Sequence, residues 1–184
     1  MRIIGGEAKG RKLKAPKGLT TRPTTDRVKE AVFNIMGYKV KDAIFLDLFG
    51  GTGAIAIEAI SRGAAEAVIC EKDFQAIRVI NDNIISAKFT DKIKVLKMDA
   101  ILALKILSKE NYRFDVIYLD PPYQGGLLPQ VMEQLYENNL LHQDGVIIAE
   151  TSSREDFSKY NIKNSLSTCR KYGETLITVF KNSD

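Results

Sequence analysis

From about Lys41 the chain alternates short apolar runs with helical patterns, and this alternation limits the fold more than any other feature. The runs fall at residues 43–48, 67–70, 93–96, 116–119 and 146–149, and the helical patterns between them at 54–62, 74–87, 100–107 and 127–137. Short buried strands joined by amphipathic helices require right-handed crossovers, which give a parallel sheet covered on both faces. The last stretch breaks the rule. Residues 166–170 and 175–181 flank the turn Tyr172-Gly173-Glu174 with no helix between them, so they form an antiparallel hairpin at the sheet edge. The expected architecture is an α/β fold with a mostly parallel seven-stranded sheet, helices on both faces and a closing hairpin, well within what 184 residues can bury in one domain.

Ahead of this core, residues 2–15 read as a small hairpin around Gly5, Gly6 and Gly10, with Arg2-Ile3-Ile4 and Arg11-Lys12-Leu13-Lys14 as short basic strands carrying little apolar mass. A turn at 20–25 around Pro23 follows. Thr24 or Thr25 then caps a helix whose apolar positions Val28, Val32, Ile35 and Met36 have helical spacing, and Gly37 ends it. The chain thus divides into a basic hairpin and helix at 1–38 and a core at 39–184.

Charge follows the same division. Residues 1–29 carry nine lysines and arginines against Glu7 and Asp26, a net +7, which leaves −3 for the rest of a chain whose formal charge is +4. A basic arm on a slightly acidic body is the footprint of a protein that grips a polyanion with one part and does chemistry with another; the alternative is an ordinary solvated tail. Arg11 and Lys12 are candidate nucleic-acid contacts on the arm. The N-terminus lacks a signal-peptide pattern and no apolar stretch approaches a membrane span, so a cytoplasmic protein with no membrane partner is expected. Cys70 and Cys169 are expected to be reduced structural thiols, and His142, the only histidine, a surface loop residue, so no metal site is expected.

In an open parallel sheet the ligand crevice lies beyond the carboxyl ends of the strands. The first apolar run ends in Asp47-Leu48-Phe49-Gly50-Gly51-Thr52-Gly53, where glycines let the backbone turn sharply and approach a ligand. The spacing lacks the G-x-G-x-x-G of dinucleotide enzymes, and no Lys-Ser or Lys-Thr follows, which argues against a triphosphate loop. Asp47 could take a cofactor amine or organise the loop. Glu71 ends the second strand eighteen residues after Gly53, about where an acid holds ribose hydroxyls, and Asp99 ends the third, within reach of an adenine amine. Glu71 and Asp99 could instead cap the helices after them. Asp47, Gly51, Gly53, Glu71 and Asp99 together suit a neutral-to-cationic nucleoside without phosphates, which describes S-adenosylmethionine.

Asp120-Pro121-Pro122-Tyr123 follows the fourth strand, and two successive prolines cannot continue a sheet. They stiffen the turn, and Pro122 holds Pro121 extended, fixing its carbonyl. An aryl amine is a poor nucleophile because its lone pair is delocalised. If the Asp120 carboxylate and the Pro121 carbonyl accept its two hydrogens, the lone pair is freed and aimed at an incoming methyl group. Tyr123 offers a ring face on which an unpaired or flipped base can stack. The alternative is a rigid strand-to-helix turn, which accounts for the prolines but not for the acid and the aromatic.

With these residues in hand, Asp47-x-Phe49-x-Gly51-x-Gly53 plus Asp120-Pro121-Pro122-Tyr123 resembles the Rossmann-like class I S-adenosylmethionine-dependent methyltransferases of exocyclic amines. Residues 22–34, from Arg22-Pro23-Thr24-Thr25 through Asp26-Arg27 to Asn34, and 58–64 after the glycine turn resemble the narrower RsmD group. That resemblance implies transfer to the 2-amino group of a guanine in 16S ribosomal RNA, in the small subunit or an assembly intermediate, with Arg22 and Arg27 across the mouth of the site. The residues alone leave open a DNA adenine or cytosine amino-methyltransferase, or a ribosome-assembly factor that has lost catalysis.

Overall fold

The computed structural model describes residues 1–15, 26–122, 126–157 and 165–182. Its strands are β1 (Ile44–Asp47), β2 (Glu66–Glu71), β3 (Ile93–Lys97), β4 (Phe114–Leu119), β5 (Leu141–Ser152), β6 (Ser165–Tyr172) and β7 (Thr175–Lys181). The helices are α1 (Asp26–Met36), α2 (Ala54–Ser61), α3 (Phe74–Ala87), α4 (Ala100–Lys109) and α5 (Leu127–Glu137), with a 3-10 turn at Gly37–Val40. One seven-stranded sheet runs in the order β3-β2-β1-β4-β5-β7-β6. The first five strands pair in parallel, and β7 pairs antiparallel with both β5 and β6.

Strand alternation splits the core into two layers. Phe45, Ile69, Val116, Tyr118 and Ile148 face α1, α2 and α3, while Leu46, Val68, Ile117, Leu119 and Ile147 face α4 and α5. This two-sided burial is why the strands read as continuous apolar runs. No helix among the described residues is long and apolar enough to cross a membrane.

The N-terminal arm departs from the expectation. Its hairpin reduces to one antiparallel bridge, Arg2 with Lys12, flanked by bonds from Ile3 N–H to the Arg11 carbonyl (2.9 Å) and Leu13 N–H to the Met1 carbonyl (3.0 Å). Its apolar contribution is larger than the sequence suggests, since Ile3 is wholly buried and Ala8 and Leu13 join it in the layer that holds α1. The α-helix does end at Met36, but Gly37, at φ 56°, leads into the 3-10 turn rather than out of helical structure. The turn around Pro23 and the Thr24 or Thr25 cap lie outside the described residues.

A buried charge cluster fastens the arm to the core. Glu58, in the middle of α2 and fully buried, accepts the Ile4 N–H (2.9 Å), pairs with Lys29 Nζ of α1 (3.1 Å) and pairs with Arg62 Nε (2.9 Å). Lys29 is only 1% exposed and also donates to the Arg2 carbonyl. The Arg62 guanidinium in turn lies over the Phe33 ring, 4.6 Å from its centre. One turn further along α2, the Ser61 hydroxyl donates to the Gly5 carbonyl (2.7 Å) and accepts the Ala8 N–H (2.9 Å). Removing one member of a buried pair strands the other charge in a medium that cannot solvate it. Lys29→Met is therefore expected to cost about 3 kcal/mol of folding stability, read as a lower urea midpoint with an unchanged slope.

Candidate active site

The carboxyl ends of β1 to β5 form one rim, and the functional side chains are set on it by strand register. After β1 the turn is held by Leu48 N–H to the Tyr118 carbonyl (3.1 Å), Gly50 N–H to the Cys70 carbonyl (2.8 Å) and Gly53 N–H to the Gly50 carbonyl (2.7 Å). Gly51 and Gly53 both have left-handed backbone, at φ 53° and 75°, and Gly53 opens α2. A side chain at Gly51 would meet nothing closer than the Phe49 carbonyl at 4.0 Å, so open space lies where a ligand would approach. Gly50 serves a different purpose from the one its motif suggests. A Cβ there would lie 2.3 Å from Ile69 Cγ2, so Gly50 is required by packing against β2.

Glu71 closes this turn from the neighbouring strand. Its Oε2 accepts the Gly51 N–H (2.9 Å) and its Oε1 the N–H groups of Lys72 and Asp73 (2.8 Å each). The cap of α3 is Asp73, through the Ala76 N–H (2.8 Å), so Glu71 is not the capping residue. Asp99 does cap its helix, accepting the Ile101 N–H (2.9 Å) at the start of α4. Asp47 is 1% exposed and lies beneath the turn. Burial pushes its carboxyl up to about 7 against partial relief from the Ala56 and Phe49 amides, and its Oδ1 has no hydrogen-bond partner among the described residues.

Across the rim, β4 delivers Asp120 and a buried Pro121. Tyr118 faces Ile148 and Leu119 faces Ala149 in the β4–β5 register, which brings Asp120 and Glu150 side by side one step further on. Asp47 is in register with Tyr118, so by strand alternation Asp47, Asp120 and Glu150 share the face that carries α1 to α3. The Tyr118 hydroxyl donates to Glu150 Oε2 (2.5 Å) within this cluster. Asp120 is pushed up to about 8 by burial first, then by the charges of Glu150 and Asp47. A carboxyl poised near neutrality can hold an amine's hydrogens as the carboxylate and then take the proton released after transfer.

Tyr123 and Arg22 lie outside the described residues. Lys12 and Arg27 are exposed, whereas the Arg11 guanidinium donates to the Ser86 carbonyl of α3 and so contributes to the fold. Cys70 is buried in the core with its Sγ on the Met98 carbonyl, and His142 is exposed. Two site residues were missed in the sequence. Glu150 ends an apolar run as the other rim acids do, and Asn83 is the polar member of the buried stripe Ala76, Ile77, Ile80, Asn83, Ile84 and Ala87 on α3.

A sheet of this order, with a glycine turn after β1 and an acid-proline-proline turn after β4, is the class I methyltransferase fold. The family described as conserved hypothetical protein 95 matches residues 1–181. Ribosomal RNA small subunit methyltransferase D of Escherichia coli K12 is 36% identical over 151 residues, 82% of this chain and 74% of that one. The Bacillus subtilis protein YlbH, whose name places it among rRNA methyltransferases, is 36% identical over 181 residues, 98% of each chain. Among solved structures, yhhF from Escherichia coli, described as a methyltransferase, superposes with a TM-score of 0.86 at 32% identity, covering 99% of this chain and 97% of that one. The chain is a methyltransferase and belongs to the conserved hypothetical protein 95 family, the family of the small-subunit methyltransferase D relatives.

The raised carboxyls give a pH signature with a definite sign. Asp47 and Asp120 hold their protons more tightly in the fold, at about 7 and about 8, than at the ordinary 3.8. Their contribution to stability is complete below pH 3.8 and is lost as pH rises through those values. Asp120→Asn, which cannot ionise, should therefore gain in melting temperature relative to the parent as pH rises from about 5 to about 8. A difference that is flat over that range would show that Asp120 is an ordinary solvated acid.

Proposed function

We propose that the chain transfers a methyl group from S-adenosylmethionine to the exocyclic 2-amino group of a guanine in 16S ribosomal RNA, in the cytoplasm, on the small subunit or an assembly intermediate. The observation that carries this reading is the meeting of the Gly51–Glu71 turn with Asp120-Pro121 on one rim, in a chain 36% identical to a small subunit rRNA methyltransferase D. Guanine is favoured by the resemblance of residues 22–34 to the RsmD group. When bound, S-adenosylmethionine supplies an electrophilic methyl on a sulfonium.

The residues of the rim fit such a group. Open space over Gly51, a carboxylate at Glu71 and no lysine in the turn suit a nucleoside without phosphates. Glu71 would exchange its bond to Gly51 for ribose hydroxyls. Asp47 keeps the turn in shape from below, and Asp99, just past β3 at the start of α4, is the acid that would take an adenine amine. A rim of acids also favours the positive charge of the sulfonium and of the amine as it is methylated.

On the acceptor side, Asp120 and the Pro121 carbonyl would take the two hydrogens of the guanine amine and direct its lone pair, and Tyr123 would stack on the base. The proton released after transfer passes to Asp120, whose raised affinity suits that task. Arg11, Lys12, Arg22 and Arg27 are the arm residues proposed to meet RNA phosphate, Lys12 and Arg27 being exposed for it.

The decisive measurement is incorporation of labelled methyl into small ribosomal subunits, naked 16S RNA and duplex DNA. Label should enter ribosomal substrate only; none in any ribosomal substrate would sink the reading, and label in duplex DNA would favour a DNA amino-methyltransferase. Asp120→Ala should lower turnover by about a hundredfold or more while the dissociation constant of S-adenosylhomocysteine changes little. Equal loss of both would move Asp120 from amine orientation to cofactor support.

A further inference from the structure

The cofactor turn and the basic arm are joined through a buried side chain on α3. Asn83, in the third turn of α3, is 1% exposed. Its Oδ1 accepts the Lys14 N–H (2.8 Å), and its Nδ2 donates both to the Lys14 carbonyl (3.1 Å) and to the Thr52 carbonyl (3.0 Å). Lys14 belongs to the arm. Thr52 lies between Gly51, whose N–H is held by Glu71, and Gly53, which opens α2. A second contact runs in parallel: the Thr52 hydroxyl lies 3.9 Å from Met1 Sδ, and the Met1 carbonyl accepts from Leu13 of the arm (3.0 Å).

A buried carboxamide is tolerated only when its donors and acceptor are matched, because each unmatched group keeps its full desolvation cost. Displacing the Lys14 backbone would remove two of the three bonds of Asn83, and displacing the Thr52 carbonyl would remove the third. Arm and turn therefore each hold the other's partner in place.

We propose that Asn83 is a positioning residue that locks the cofactor turn to the basic arm, so that filling the cofactor site and docking RNA on the arm each raise affinity for the other. This rests on the methyltransferase reading above. An interaction of this kind is a coupling free energy, and by linkage its effect is equal in both directions. A purely structural Asn83 would weaken the fold, and both affinities with it, without changing the factor by which one ligand affects the other.

The test uses the full chain, S-adenosylhomocysteine and small ribosomal subunits as the source of 16S RNA. In the parent protein, saturating RNA should tighten S-adenosylhomocysteine binding by about fivefold or more, and S-adenosylhomocysteine should tighten RNA binding by the same factor. Asn83→Ala should bring that factor within about twofold of one in both directions. Asn83→Ser, whose hydroxyl cannot span both partners, is the replacement if the alanine variant does not fold. Lys14→Ala loses the pair with Asp82 (2.9 Å) but keeps the main-chain bonds, so it should retain the coupling even where RNA binding weakens. An Asn83 variant with the parent's coupling factor, or a parent that binds both ligands without coupling, overturns the proposal. A parent that binds neither ligand sinks the methyltransferase reading, and this inference with it.

Discussion

The parallel pairing of β1 with β4 is the constraint on which the rest of the site depends. Phe45, Leu46 and Asp47 are in register with Val116, Ile117 and Tyr118, so the two strands end side by side. From there the chain diverges, because β1 leads into α2 on one face of the sheet and β4 into α5 on the other. A crevice opens where connections part in this way. The glycine turn and the acid-proline-proline turn are the two lips of that crevice, and no long-range side-chain contact is needed to bring them together.

The same register makes the site electrostatically unusual. Asp47, Asp120 and Glu150 are carried to one face at the ends of adjacent strands, and the first two are raised toward neutrality by burial first, then by the charge of Glu71 on Asp47 and of Glu150 and Asp47 on Asp120. Glu58, fully buried on the same side of the sheet, sits in the opposite circumstance, met by Lys29, Arg62 and the Ile4 amide. One acid is satisfied from within and stabilises the junction of arm and core. Asp47 and Asp120 are instead held near neutrality by burial and neighbouring acids, a state that the arrival of positive charge would relieve.

Much of this was legible because the period of the sequence matches the period of the elements. Expected and observed bounds coincide at α3 (Phe74–Ala87) and α5 (Leu127–Glu137), where a buried stripe begins and ends sharply. β5 was harder. It extends past its apolar run because Thr151 and Ser152 still pair with β7, and because Leu141 pairs with Phe114 across a register shift, neither of which leaves an apolar signature. Gly50 looked like a ligand-facing glycine, since closeness to Ile69 of β2 is not visible in the local pattern. Lys29 counted as part of a solvated basic arm; its partner Glu58 lies in another helix, and only the folded chain shows that the pair is buried.

That correction changes how the arm works. Of its basic side chains, Arg2 pairs with Asp26, Lys14 with Asp82 and Lys29 with Glu58, and Arg11 donates to the Ser86 carbonyl. Much of the charge that reads as free for a polyanion therefore also holds the arm against α1, α2 and α3. The exposed pairs, Arg2–Asp26 and Lys14–Asp82, hold weakly enough that a phosphate could displace the acid. Lys29 cannot be released in this way without opening the core. The arm thus combines a fixed anchor, which sets its position over the cofactor turn, with exchangeable cations that can turn outward.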